Sequence, residues 1–243
     1  MAESKVVPVE ETAARPAAGR GVLEGAFTLL EAVKRTGEAG LTTLSATSGL
    51  PKTTTHRLLE QLVALGALER SGSNYRMGPR VFRLGQDWAP HPALLRAARG
   101  PVRHLARTTG ASVGLCVLRE GQTLAVAGIP GEVNELVPLR PGATWPWVTA
   151  AGKAIVAHMS PDLPLDPQPA AWRREADAIR DLGAALDRQE LVEGVACVAV
   201  PLFGPRGVVA SLSVLVDPAR PLRRVTEQLV PIGKAVTAAL RGW

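Results

Sequence analysis

Cysteine and histidine are scarce in this chain, two and four in 243 residues. Cys116 and Cys197 each sit inside an apolar, strand-like run. Thiols so placed are expected to be reduced and buried, which excludes a disulfide scaffold. His56, His91, His104 and His158 fall in four different elements with no ligand spacing between them, so no metal site is expected. Long uncharged apolar runs are missing, and with them a membrane span; the N-terminus lacks the charged cap and apolar core of a secretory signal. Lys153 follows Gly152 without the rest of a phosphate loop. His158, Asp187, Glu190 and Cys197 are the residue types of a thiol nucleophile, but no spacing among them supports catalysis. These absences together predict a cytoplasmic chain that is not an enzyme and uses no cofactor.

What is present begins with charge and core. The net charge of +6 favours polyanion contact, and 46% hydrophobic residues can fill one large core or two modest ones. Between residues 49 and 88 the balance is locally basic, with Lys52, Arg57, Arg70, Arg76, Arg80 and Arg83 against Glu60, Glu69 and Asp87.

That basic stretch contains the most informative segment, residues 40–66. Ser48-Gly49-Leu50-Pro51 reads as a turn between two short helices: Gly49 carries no Cβ and Pro51 suits a helix start. Leu58, Leu59, Leu62, Val63 and Leu65 then make one apolar stripe, while Lys52, Thr53, Thr54, Thr55, His56 and Arg57 crowd the first turns. Residues 67–78 alternate around Ser71-Gly72-Ser73-Asn74 as a hairpin would. Val22, Leu23, Ala26, Phe27, Leu29, Leu30 and Val33 predict a helix that closes a three-helix core. A helix-turn-helix followed by a hairpin is a winged helix, which sets one helix in the major groove and brings Arg76 near the DNA backbone.

The remainder predicts an α+β domain with an antiparallel sheet. Strands are expected at 112–118, 123–129, 135–139, 195–200 and 208–216, and helices at 147–159, 170–183 and from 222 onward. Residues 94–106 give one kinked helix or two, broken at Gly100-Pro101. The boundaries expected are a flexible leader at 1–20, the winged helix at 21–87, a linker and helix at 88–110 with a hinge at 87–92, and the second domain at 111–243.

The chain resembles the IclR family of bacterial transcription regulators. The resemblance rests on the run from Gly49 to Leu62, on Ala64-Leu-Gly66 and on Tyr75-Arg-Met-Gly-Pro-Arg80. It extends to Thr149-Ala-Ala-Gly-Lys-Ala154, Glu193-Gly-Val-Ala-Cys-Val-Ala-Val-Pro201 and Gly207-Val-Val-Ala-Ser-Leu-Ser-Val214. It implies a GAF-like effector-binding domain, no metal or cofactor, and a homodimer or homotetramer on double-stranded operator DNA. In its terms Lys52, Thr53, Thr54, Thr55, His56, Arg57 and Arg76 are the DNA contacts. A small-molecule effector is expected at Ala151, Gly152, Asp187, Val195, Cys197, Ser211 and Ser213, with Gly152 letting a carboxylate approach backbone amides.

The chain departs from that pattern at Trp145-Pro146-Trp147, where relatives usually carry a leucine and a histidine. Trp145 and Trp147 either widen the pocket edge for an aromatic effector or pack as core. A second departure, the proline-dense segment 160–169, is shorter than its equivalent in relatives. The expected mechanism is ligand-controlled repression. The rival is a metabolite-binding protein or enzyme whose winged helix does not bind DNA.

Overall fold

Gly49 has φ 67° and ψ 16°, in the left-handed region that side-chain-bearing residues avoid. It ends helix α2 (Leu41–Ser48) and, with Leu50 and Pro51, turns the chain into α3 (Lys52–Ala64). The turn is fastened by the Ser45 hydroxyl, which donates to the Leu50 carbonyl at 2.8 Å. Ahead of it lies α1 (Val22–Thr36), and behind it a hairpin of β2 (Leu68–Ser71) and β3 (Asn74–Met77), then α4 (Pro79–Gln86). The computed structural model describes residues 21–88, 90, 93–159 and 170–241. The expected leader, the proline-dense segment 160–169 and hinge residues 89, 91 and 92 lie outside the described residues.

Packing divides the chain at residue 90 into two units. The core of the first gathers Leu29, Val33, Leu44, Leu58, Leu59, Leu62, Leu68 and Tyr75. Each fully buried leucine of this kind stabilises by about 1.5–3 kcal/mol. Two expectations are corrected here. The inward face of α1 is Gly25, Leu29, Ala32 and Val33, so Val22, Leu23 and Phe27 stay exposed instead of closing the core. A further strand, β1 (Glu38–Gly40), pairs antiparallel with β3 and makes the order β1-β3-β2.

The second unit opens with α5 (Leu94–Thr109), one helix that continues through Pro101. Its sheet comprises β4 (Ser112–Arg119), β5 (Gln122–Ile129), β6 (Thr144–Pro146), β7 (Ala185–Arg188), β8 (Ala196–Gly204) and β9 (Gly207–Val216). The strands lie in the order β6-β5-β4-β9-β8-β7, every pair antiparallel. One face, carrying Val113, Leu115, Val198, Val200, Leu212 and Val214, packs on α5 and on α8 (Leu222–Arg241). The other, carrying Cys116, Cys197, Ala199 and Leu215, packs under α6 (Ala150–Val156) and α7 (Trp172–Leu182). Period-two alternation sends residues to opposite faces, so both cores grow from the same strands.

The expected strand at 135–139 is a turn segment instead, held by Leu136 and Val137 amides on the Val133 carbonyl at 3.1 and 3.0 Å. Its alternation arises because Val137 and Leu139 press onto the sheet while the residues between them face out. The expected helix at 147–159 is shortened because Thr149 caps it: its hydroxyl accepts from the Gly152 amide at 3.2 Å.

Candidate functional site

The inward stripe of α3 is Thr55, Leu58, Leu59 and Leu62, spaced three and four apart as one helix face requires. The outward face puts Lys52, Thr53, His56 and Arg57 in solvent, with Thr54 half-buried. Two of the expected DNA contacts depart from that role. Thr55 is 0% exposed, and its hydroxyl donates to the Leu50 and Pro51 carbonyls at 3.3 and 3.1 Å. It locks the turn and meets no base. Arg76 is occupied: its Nε and Nη2 lie 3.1 and 3.0 Å from Glu69 Oε2 across the β2–β3 pair.

Sequence reasoning missed the contact that fixes the hairpin to α3. The Tyr75 hydroxyl donates to Glu60 Oε1 at 3.2 Å, Arg70 Nη1 stands 3.7 Å from the same oxygen, and the Arg70 guanidinium lies 5.8 Å from the Tyr75 ring centre. Burial pushes the Tyr75 phenol up, against the pull of the Arg70 charge. The chain's single tyrosine was the available signal.

In the second unit a cavity of about 70 Å³ lies between the sheet and the start of α6. Its walls combine Trp145, Thr149, Ala150 and Ala151 with Asp187, Val195, Cys197 and Ser213. Asp187 and Cys197 are register partners across β7 and β8. Burial, and then the Asp187 charge, raise the Cys197 thiol well above its ordinary value. Burial likewise raises Cys116 to about 12, although a hydrogen bond with Ser213 pulls the other way. Both thiols are therefore protonated at neutral pH and poor nucleophiles. His158 is turned elsewhere, its Nδ1 3.0 Å from the Ala154 carbonyl and its ring edge-on to Phe203 at 5.1 Å. The four residues considered as a thiol nucleophile do not converge. Among the described residues no group of three or more His, Cys, Asp or Glu side chains could hold a metal ion, and no helix is long and apolar enough to cross a membrane.

Lys153, next to Gly152, is 5% exposed. Its Nζ lies 2.7 Å from both Glu175 Oε1 and Glu190 Oε2. Burial works to lower this ammonium, but the hydrogen bonds and charges of Glu175 and Glu190 win and hold it above the usual lysine value. The cluster ties α6 to α7 and to the loop after β7, whose Leu191 and Val192 form part of the cavity wall.

Residues 22–72 match the IclR helix-turn-helix domain and residues 167–240 match the bacterial transcriptional regulator IclR C-terminal domain. The glycerol operon regulatory protein of Streptomyces griseus is 31% identical over 216 residues, covering 82% of this chain and 84% of that one. This chain belongs to the IclR family. The transcriptional repressor IclR of Escherichia coli is 25% identical over 215 residues, 80% of this chain and 77% of its own. The structure of an IclR homolog from Microbacterium hydrocarbonoxydans, complexed with 4-hydroxybenzoate, shares the fold with a TM-score of 0.80. It is 20% identical, and the match covers 92% of this chain and all 100% of that one.

As an IclR-family protein the chain is a DNA-binding transcriptional regulator with a ligand-binding C-terminal domain. Of the residues the IclR resemblance marked for an effector, the cavity gathers Trp145, Ala151, Asp187, Val195, Cys197 and Ser213. It leaves out Trp147, Gly152 and Ser211. Trp147 is core, packed edge-on against Trp172 with ring centres 4.8 Å apart. Gly152 serves close packing, since a Cβ there would overlap the Trp147 carbonyl oxygen and stand 2.6 Å from Thr123 Oγ1. Ser211 is buried on the strand face it shares with Ser213, and its hydroxyl has no hydrogen-bond partner. The apolar wall of Cys116, Val137, Leu139, Leu191, Val192 and Leu215 was missed, because apolar residues around a cavity carry the same pattern as those of a core.

Proposed function

We propose that this IclR-family regulator represses transcription as a homo-oligomer, and that a small organic effector in the cavity under α6 changes its hold on the operator. The observation that carries this reading is the outward face of α3, where Lys52, Thr53, His56 and Arg57 stand uncovered on a helix anchored by Thr55 and three leucines. Two copies would read half-sites about 34 Å apart, one turn of the double helix. Oligomerisation is supported by apolar side chains left in solvent on the first unit: Leu23 and Phe27 on α1, 78% and 67% exposed, and Phe82 and Leu84 on α4, each 69% exposed. Monomers seldom leave such a surface uncovered. Repression is supported by the name of the Escherichia coli relative. A small organic effector is supported by the 4-hydroxybenzoate complex of the structural relative.

The test is an anisotropy titration on DNA from upstream of the chain's own gene against a scrambled duplex at fixed salt. A preference of about a hundredfold or more for the upstream DNA is expected, within the range of specific regulators. Absence of binding at low salt would sink the reading and favour the metabolite-binding rival.

A further inference from the structure

The lining of the cavity under α6 includes Asp187 but no lysine, arginine or histidine. Asp187 is 7% exposed; its Oδ1 accepts from the Glu190 amide at 2.9 Å, and among the described residues no donor reaches Oδ2. The cation that acts on it, Lys153, already holds Glu175 and Glu190. Three carboxylates thus share one ammonium, and the neighbourhood of the cavity is negative. Burial pushes the Asp187 carboxyl up, and the Glu190 charge adds to it, while the Glu190 amide and Lys153 offset part of the rise.

The hydroxyls nearby are engaged. Thr149 Oγ1 accepts from the Gly152 amide and lies 3.4 Å from Thr123 Oγ1, and the Ser213 hydroxyl donates to the Gly114 carbonyl at 3.3 Å. Cys116 and Cys197 bring only protonated thiols, and Trp145 a neutral indole. A carboxylate or phosphate entering here would meet like charge and no counter-ion, the costliest way to bury an anion.

We propose that the effector carries a hydrogen-bond donor, a hydroxyl or an amine, aimed at Asp187 Oδ2, and bears no anionic group. This rests on the reading of the cavity as the effector site. The rest of the ligand is apolar, to match Val137, Leu139, Leu191, Val192 and Leu215. At about 70 Å³ the cavity is smaller than the ~150 Å³ pocket that takes up benzene, so an aromatic ring enters only as the wall gives way. The loop bearing Leu191 and Val192, tethered through Glu190 to Lys153, is the wall that gives.

The experiment is calorimetric titration of the full chain with three probes that share one ring: benzyl alcohol, benzylamine and benzoate. The alcohol or the amine is expected to bind roughly tenfold or more tightly than benzoate, the scale of a hydrogen bond to a charged group. Asp187→Asn, which keeps the Oδ1 acceptor for Glu190, should erase that preference. Benzoate binding as tightly as the others to the unaltered chain would overturn the proposal without any variant, as would an Asp187→Asn chain that folds and keeps the ranking. Failure of all three probes at millimolar concentration would also overturn it. The regulator reading falls separately, through loss of operator preference.

Discussion

Lys153 Nζ and Glu190 Oε2 are 2.7 Å apart, joining the helix at the cavity's edge to the loop that forms its outer wall. Lys153→Met leaves Glu175 and Glu190 facing each other without their cation. Both carboxylates are partly exposed and can rehydrate, so the expected loss is about 1–3 kcal/mol, below the cost of stranding a fully buried charge. Urea unfolding at neutral pH measures it, and adding Glu175→Gln and Glu190→Gln should restore part of the loss. An unchanged midpoint would remove the cluster from any structural role.

Arg57→Ala is expected to weaken operator binding by roughly 1–3 kcal/mol. Arg76→Ala should leave it nearly unchanged, since that guanidinium is engaged by Glu69. Thr55→Val should lower stability by about 1 kcal/mol while sequence preference stays as it was. With about six phosphates engaged per dimer, log affinity should fall against log salt with a slope near −5. Anisotropy titrations across a salt series read all of these, and a flat salt response would contradict the phosphate contacts.

Gly152→Ala forces a methyl group into the Trp147 carbonyl and Thr123. Overpacking of this kind costs about 1–3 kcal/mol. The backbone around residues 147–152 must shift, so effector affinity should fall along with the melting temperature. Retention of both would show that α6 can move away freely.

Trp145 stands on the cavity wall and Trp147 in the core beside Trp172. Fluorescence quenching by a bound effector should therefore vanish in Trp145→Phe and survive in Trp147→Phe. The reverse result would place the ligand somewhere other than this cavity.

His158 is held below the usual histidine value by burial and by the Arg180 charge, against the pull of the Ala154 carbonyl. A folded-state value lowered in this way means that the unfolded chain takes up the proton first. The stability this histidine contributes is complete above the ordinary histidine range, about 6.5, and is lost as pH falls from there through the lowered folded value. Thermal melts between neutral and mildly acidic pH should show that loss, and His158→Gln should flatten it. An unchanged slope in the variant would assign it to other groups.

The turn between α2 and α3 was legible because Gly49 and Pro51 impose backbone geometry wherever they stand. The inward side of α3 was legible too, and it held the answer for Thr55, which falls on the same three-and-four spacing as Leu58, Leu59 and Leu62. The exposed face of α1 was misread because apolarity alone does not say whether a residue is covered within its own unit. Strands β1, β6 and β7 are only three or four residues long and owe their existence to backbone pairing with a neighbour, which leaves no periodic mark. In the cavity the polar members stood out, whereas Leu191, Val192 and Leu215 acquired their role only when the loop after β7 folded back over the sheet.

The two thiols, buried and protonated, have a practical consequence for labelling chemistry. At neutral pH a maleimide should find little to attack in the unaltered chain, so a cysteine introduced on the solvent face of α3 would take up a spin label or fluorophore nearly alone. In an assembly of two copies that pair of probes becomes a molecular ruler, able to follow the separation of the recognition helices as an effector is added.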